Sequence, residues 1–254
     1  MKFETFEDAI RWRKVHRKRL KTATRRQRRA ARAVVKCRRG HRCETEACRV
    51  CMREFRLLWL GEGTKIIVQR SDWTRCSVIT KDLLVPYGQL AKFDLTAAVT
   101  RIRKRLQRSK IRDRIVLGGL DLSLNLERNV MQGWQFHLYL IVEGQNDAKL
   151  QQAIRGAFPR EPTALAPYDF EDVTTALEVL TYACKADIKR RSGYLGSDGN
   201  HRTKNQPLKG ADIRELLPFL ARYKVGARLI LSGVRRNGQR LVFTPRKLSS
   251  APQS

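Results

Sequence analysis

The stretch IVLGGLDLSLNLERNVMQGWQFHLYLIVEG, residues 115–144, decides how this chain folds. From Leu120 to Leu126 every second residue is leucine, with Asp121, Ser123 and Asn125 between. From Trp134 to Val142 the apolar series is Trp134, Phe136, Leu138, Leu140 and Val142, interrupted by Gln135, His137 and Tyr139. A period of two is the signature of a strand with one face buried. A turn centred near Asn129 pairs the two runs as an antiparallel hairpin. That register sets Asp121 opposite His137 and Ser123 opposite Gln135. Asp121, Gln135, His137 and Tyr139 then share one surface, and the continuous Leu, Trp and Phe surface faces the core.

Working outward, residues 5–35 lack Gly and Pro and read as helical, and Arg11 to Arg32 carries twelve Lys or Arg. MREFRLLWL (52–60) reads as a short helix, and KIIVQRSDWTRCSVIT (65–80) as strand material. Residues 94–109 are helical: Asp94 is the N-cap, and Leu95, Val99, Ile102 and Leu106 recur at helical spacing. NDAKLQQAIRGAF (146–158) reads as a short helix and FEDVTTALEVLTYACKADIKRR (170–191) as a longer one. Ser192 to Gly210 reads as loop, 211–223 as a helix carrying Pro218, and 227–245 as a hairpin turning at Asn237-Gly238. The expected organisation is a basic helical arm (1–36), a cysteine module (37–60), a main domain (61–245) and a loose tail (246–254).

Among 254 residues there are 53 Lys and Arg against 24 Asp and Glu, a net charge of +29. So large an excess repels itself in the compact state and points to a polyanionic partner, nucleic acid above all. The residues expected to meet phosphate are Arg25, Arg26, Arg28 and Arg29 in the arm and Arg38, Arg39, Arg42 and Arg49 around the cysteines. Arg101 and Arg105 on the 94–109 helix, with Lys189 and Arg190, complete the set. No apolar run of 18 residues exists, and the first residues lack the basic start and apolar stretch of a signal peptide. The expectation is a cytoplasmic protein with no membrane partner.

CRRGHRCETEACRVC places Cys37, Cys43, Cys48 and Cys51 within fifteen residues, with His41 inside. Thiolates hold zinc tetrahedrally, and a C-x2-C turn brings two sulfurs to one ion. Structural zinc is the expectation, with His41 an alternative ligand. Such a closed site does no chemistry; it folds a segment too small for its own core.

Two further features bear on chemistry. Asp121, Gln135 and His137 on one rigid surface offer oxygen donors and one imidazole, a set that suits Mg or Mn. An ordinary polar sheet face explains the same residues. On the 170–191 segment, Val173, Leu177, Leu180, Cys184 and Ile188 form an apolar stripe. Tyr182 lies opposite that stripe, with Glu178, Lys185 and Lys189 on its side. A tyrosine one turn before a lysine can serve as an oxygen nucleophile, the lysine offsetting phosphate charge. On these residues alone, a surface tyrosine stacking on something apolar is the simpler reading. Tyr194, in RRSGYLG, has no lysine at that spacing.

Taken together these elements resemble the HUH-type endonucleases, in particular the rolling-circle replication initiators of plasmids and filamentous phages. WTRCSVIT (73–80) resembles the family's early strand ending in Thr. GWQFHLYLIV (133–142) resembles its His-hydrophobic-His strand, YACK (182–185) its Tyr-x-x-Lys helix, and CETEACRVCMREFR (43–56) the cysteine cluster of many plasmid members. The resemblance spans roughly residues 37–235, in the family's order. It implies an α+β fold: a palm-like antiparallel sheet with flanking helices, beside the zinc knuckle and the basic N-terminal helix. It implies transesterification, in which a metal polarises the scissile phosphate, tyrosine attacks, and a 5′-phosphotyrosine and a free 3′-OH result. Tyr182 would be the nucleophile, Lys185 its electrostatic helper, His137 a metal ligand and Asp121 a candidate third ligand.

The motif also departs from the family. Tyr139 stands at the second histidine and Gln135 at the accessory one. Neutral tyrosine is a poor Mg or Mn ligand. The residues allow a site rebuilt on Asp121, Gln135 and His137, or a lost one. The expected function is nicking of single-stranded or hairpin DNA in a replicon or mobile element. The alternative is an inactive HUH-derived DNA-binding regulator, or a subunit of a larger assembly with replication or assembly partners. RNA is a further candidate ligand.

Overall fold

The structure, a computed structural model, describes residues 3–127, 130–159, 167–195 and 201–244. The chain is a mixed α+β fold around one curled sheet. The hairpin forms its centre: β3 (Val116–Glu127) pairs antiparallel with β4 (Val130–Glu143), Asp121 opposite His137 and Ser123 opposite Gln135. β1 (Trp73–Val78) lies against the other edge of β4, and β5 (Tyr168–Asp172) against β1. Beyond β3 come β6 (Arg190–Leu195) and β7 (His201–Gln206). Two short strands join the ends: β2 (Leu84–Val85) on β4 and β8 (Leu229–Ser232) on β3. One pair, β3 with β6, is parallel, so the sheet is mixed rather than purely antiparallel. β9 (Val234–Asn237) and β10 (Arg240–Phe243) form the separate hairpin at Asn237-Gly238.

Both faces of the sheet are covered. Leu120, Leu122, Leu124, Trp134, Phe136, Leu138 and Leu140 sit on one face, each 0–1% exposed. They join the apolar stripe of α5 (Leu95–Arg108), whose N-cap is Asp94, and residues of α6 (Ala148–Ala157) and α8 (Gly210–Leu220). The opposite face carries Trp73, Leu117, Tyr139 and Ile141 beneath α4 (Arg49–Ile67) and α7 (Ala176–Ala183). Burying a side chain of this size contributes about 1.5–3 kcal/mol, so the two layers carry most of the stability. Among the described residues no helix is long and apolar enough to cross a membrane.

Several local expectations are corrected. The 5–35 segment is three helices, α1 (Phe6–Lys21), α2 (Arg25–Ala30) and α3 (Arg32–Lys36), broken where Thr24 caps a new start. Ala9, Leu20, Ala31 and Val34 are buried in the main core, so the segment is folded onto the body. The 52–60 helix runs on to Ile67 and absorbs the start of the expected strand, because Ile66 and Ile67 complete its buried stripe. The single 170–191 helix is three elements: β5, the two-turn α7, and β6. Leu177, assigned to the buried stripe, is 57% exposed. Much of the 192–210 stretch is strand, with Tyr194 in β6 opposite Arg202. The expected turn at Asn129 and the tail from 246 lie outside the described residues.

Candidate functional site

The sheet's polar face opens at one end of α7 into a cavity of about 320 Å³. Strand alternation supplies its floor: Arg75 and Ser77 from β1, Asp121 from β3, His137 and Tyr139 from β4. Its wall comes from Asp169, Glu171 and Asp172 of β5, from Glu178, Val179 and Tyr182 of α7, and from Arg191 of β6. Two residues separated by 45 positions, His137 and Tyr182, therefore meet in one cavity with Asp121.

α7 reaches the sheet because small residues let it. A Cβ on Gly119 would lie 2.2 Å from the carbonyl oxygen of Ala183, and one on Gly63 would lie 2.6 Å from a methyl of Leu180. The indole N–H of Trp59 donates to the Leu180 carbonyl at 2.9 Å. Tyr182 projects from this clamped turn, 39% exposed, and its ring stacks on Tyr139 with centroids 5.9 Å apart. Lys185 lies just past the helix, yet its Nζ sits 5.6 Å over the Tyr182 ring. Burial holds Tyr139 protonated by raising its pKa, so this side chain supplies a surface for stacking rather than an anionic ligand.

The predicted metal residues divide. Asp121 and His137 come together as the register requires, and Arg191 lies between them. Its Nη2 donates to Asp121 Oδ2 at 2.9 Å, and its Nη1 is 3.2 Å from His137 Nε2. Ser123 Oγ is 3.0 Å from the same nitrogen. Burial first, and then the Arg191 charge, lower the His137 pKa to about 4, so the imidazole is neutral near pH 7. Gln135 is not brought to the site. It is 5% exposed, and its amide nitrogen faces the carbonyls of Thr80, Leu83 and Phe136 at 3.5, 3.4 and 3.1 Å. Its work is to hold the turn after β1.

The donors therefore do not fit Mg or Mn at this position. Magnesium and manganese want several oxygen ligands. Here the imidazole and one carboxylate oxygen share a guanidinium, and the amide is turned away. Asp121 Oδ1, buried without a hydrogen-bond partner among the described residues, is one remaining oxygen. Arg75 is committed elsewhere, its Nε and Nη1 each 2.9 Å from Glu171 and Asp169.

The cysteine cluster fits a metal well. The ligand atoms of Cys37, Cys43, Cys48 and Cys51 all lie within 4.8 Å of one another. The sulfur pairs 37–51, 43–51 and 37–48 are 3.7 Å apart. Four sulfurs at about 2.3 Å from a central zinc in tetrahedral array are about 3.8 Å apart. Thiol hydrogen bonds from Cys48 and Cys51 draw the Cys43 pKa down, the direction that yields a thiolate. The cluster can hold an ion such as zinc. His41, the alternative ligand, is exposed and outside it. Glu46 of the knuckle accepts from Arg228 Nε at 2.9 Å and from the Gly226 amide at 3.0 Å, tying the cluster to the sheet.

The basic residues also divide. Arg25, Arg26, Arg28, Arg29, Arg38, Arg39 and Arg101 are exposed. Arg42 is paired with Glu54, Arg105 with Asp82 at 3.0 Å, and Lys189 with Asp187 at 3.0 Å. Two expected phosphate contacts are corrected. Arg190 is buried in a two-pronged pair with Asp212, at 2.6 and 2.9 Å, and Arg49 is buried beside Trp12 and Asp187. Arg190 sits in sequence between Lys189 and Arg191 and Arg49 between two zinc-knuckle cysteines, and only their buried partners set them apart. Arg191 was missed because nothing in Lys189-Arg190-Arg191 distinguishes it; its partners Asp121 and His137 lie far off in sequence. The local signal for α7 was the Gly118-Gly119 pair inside a leucine-rich strand, which marks a close backbone approach.

No family model, curated protein or solved structure matches this chain.

Proposed function

We propose that the protein binds single-stranded or hairpin DNA and that Tyr182 cleaves it by transesterification, as in the HUH-type endonucleases that the sequence resembles. The observation that carries this reading is the shared cavity: Tyr182, half-exposed, opens onto the same space as Asp121, His137 and Arg191. A net charge of +29 supplies the affinity for a polyanion, through arginines exposed on α2 and around the knuckle. In this reaction the Tyr182 oxygen bonds to phosphorus and the bond to the 3′-oxygen breaks. A 5′-phosphotyrosine and a 3′-hydroxyl result, and the energy of the diester is kept for rejoining. The leaving 3′-oxygen takes a proton from water, and the phenol gives its proton to a base. Glu178, one helical turn before Tyr182 and lining the same cavity, is the carboxylate best placed on the helix to accept it. Lys185 offsets charge on the phosphate. Zinc in the knuckle is structural.

A second reading is favoured by one observation, the guanidinium of Arg191 between Asp121 and His137. If that arginine takes the ion's place without doing its work on the phosphate, the chain grips DNA without cutting it, as a regulator or a subunit of a larger assembly. Incubation with end-labelled single-stranded DNA, with and without Mn, separates the two. The first reading expects a protein–DNA adduct that survives boiling in detergent and disappears in Tyr182→Phe. Tight, salt-sensitive binding with no adduct selects the second. Wild-type protein that neither binds nor joins DNA refutes both.

A further inference from the structure

We infer that Arg191 is the built-in cation of this cavity: it occupies the place between Asp121 and His137 that a divalent ion would need, and it offers its free N–H groups to a phosphodiester oxygen. The identity of the anion rests on the nucleic-acid reading above; the exclusion of a divalent ion does not.

The placement follows from strand alternation. β6 runs parallel to β3, with Arg190 beside Leu124 and Arg191 beside Asn125. Adjacent residues of a strand point to opposite faces. Arg190 therefore enters the apolar side, where buried Asp212 neutralises it, and Arg191 enters the polar side, where Asp121 and His137 wait. Arg191 Nη1 lies 3.2 Å from His137 Nε2, and Ser123 Oγ, which donates to Asn125 Oδ1 at 2.8 Å, lies 3.0 Å from the same nitrogen. That nitrogen is the one a metal at this place would use.

An incoming ion would have to expel a permanent charge from a carboxylate whose side chain is only 12% exposed. At that place it would find only Asp121 and His137 as ligands, because Gln135 faces the other way. Arg191 is not spent by these contacts. Its side chain is 27% exposed and lines the cavity beneath Tyr182. Among the described residues two of its five N–H groups serve Asp121 and His137, and the fork geometry of the rest matches a phosphate. The cavity needs such a group. Asp121, Asp169, Glu171, Asp172 and Glu178 line it against two arginines, and Arg75 already serves Asp169 and Glu171. A phosphate entering without a cation aimed at it would be repelled.

The test uses the zinc-loaded full chain in buffer free of Mg and Mn. Histidine ring signals are followed by NMR during titration with Mn alone. The expected result is that the His137 signals stay sharp in the wild type and broaden in Arg191→Ala and in Arg191→Gln. Affinity for a short single-stranded oligonucleotide is then measured by fluorescence anisotropy. It should be the same with and without Mg in the wild type, and roughly tenfold weaker in both variants, provided their circular dichroism is native. Paramagnetic broadening of His137 in the wild type overturns the inference, as does oligonucleotide affinity that well-folded Arg191 variants leave unchanged. Failure to form a tyrosine–DNA adduct touches neither result, so the loss of the cleavage reading is distinguishable from the loss of this one.

Discussion

Glu46→Ala gives the sharpest test of how the cysteine knuckle is fastened to the sheet. The Glu46 side chain is 1% exposed and that of Arg228 is 6% exposed. One carboxylate oxygen receives Arg228 Nε at 2.9 Å and the other the Gly226 amide at 3.0 Å. The same guanidinium donates to the Leu120 carbonyl at 3.1 Å and to the Lys185 carbonyl at 3.2 Å. One ion pair thus joins the knuckle, the central strand and the segment just after Tyr182. Removing the carboxylate leaves a buried cation with neutral acceptors only, which costs about 3–5 kcal/mol. For a chain of this size that lowers the melting temperature by roughly 6–20 °C. Urea unfolding with zinc present, followed by tryptophan fluorescence, measures the loss. The double variant Glu46→Gln with Arg228→Met should recover most of it, because the unpaired charge is gone. A single-variant loss below about 1 kcal/mol, or a double variant no better than the single, would refute the reasoning.

Three further outcomes are expected. Gly119→Ala places a methyl 2.2 Å from the Ala183 carbonyl oxygen, so the last turn of α7 must lift; stability should fall by about 1–3 kcal/mol, and any Tyr182 adduct should fall further than the folded fraction does. An adduct yield that tracks the folded fraction alone would show that the clamp does not position Tyr182. Chelation, or Cys51→Ser, should abolish metal binding at the knuckle and reduce helical circular dichroism, because Cys48 stands at the N-cap position of α4 and Cys51 in its first turn, so an ion held there fixes the start of the helix; elemental analysis finding no zinc in the native protein would contradict this. His16 concerns pH: burial first, and Arg49 next, lower its pKa from 6.5 to about 3. The unfolded chain therefore takes up a proton below pH 6.5 that the folded chain refuses until about pH 3. Stability is full above that window and falls as pH descends through it, by up to roughly 1.4 kcal/mol per pH unit. His137, lowered to about 4, acts in the same direction. Denaturant midpoints at about pH 7 and pH 5 should differ less in His16→Gln than in the wild type, and equal slopes would remove His16 as a cause.

The hairpin was legible because its information is local. Alternation of leucine with Asp121, Ser123 and Asn125, and of aromatic residues with Gln135 and His137, sets which side chains share a face and which lie opposite. The Asp94 cap and the cysteine spacing are local in the same sense. The segment from 168 to 191 was not legible. Its apolar residues fit a helical period, but Tyr168 and Phe170 stack on one another along a strand edge while Asp169 and Glu171 turn to Arg75. That partner is more than ninety positions away.

By itself, then, the sequence determined the central pair of strands, the polar and apolar faces, the four-sulfur cluster and the excess of positive charge. These depend on backbone periodicity, on the reach of a short loop and on simple counting. Only the tertiary structure decided what each charge and amide on those faces does. It turned Gln135 to backbone carbonyls, buried Arg190 on Asp212, and set Arg191 between Asp121 and His137. A hydrogen-bonded or ionic partner is chosen by proximity across the fold and by the cost of burying a polar group alone, and neither is written in the spacing of neighbouring residues.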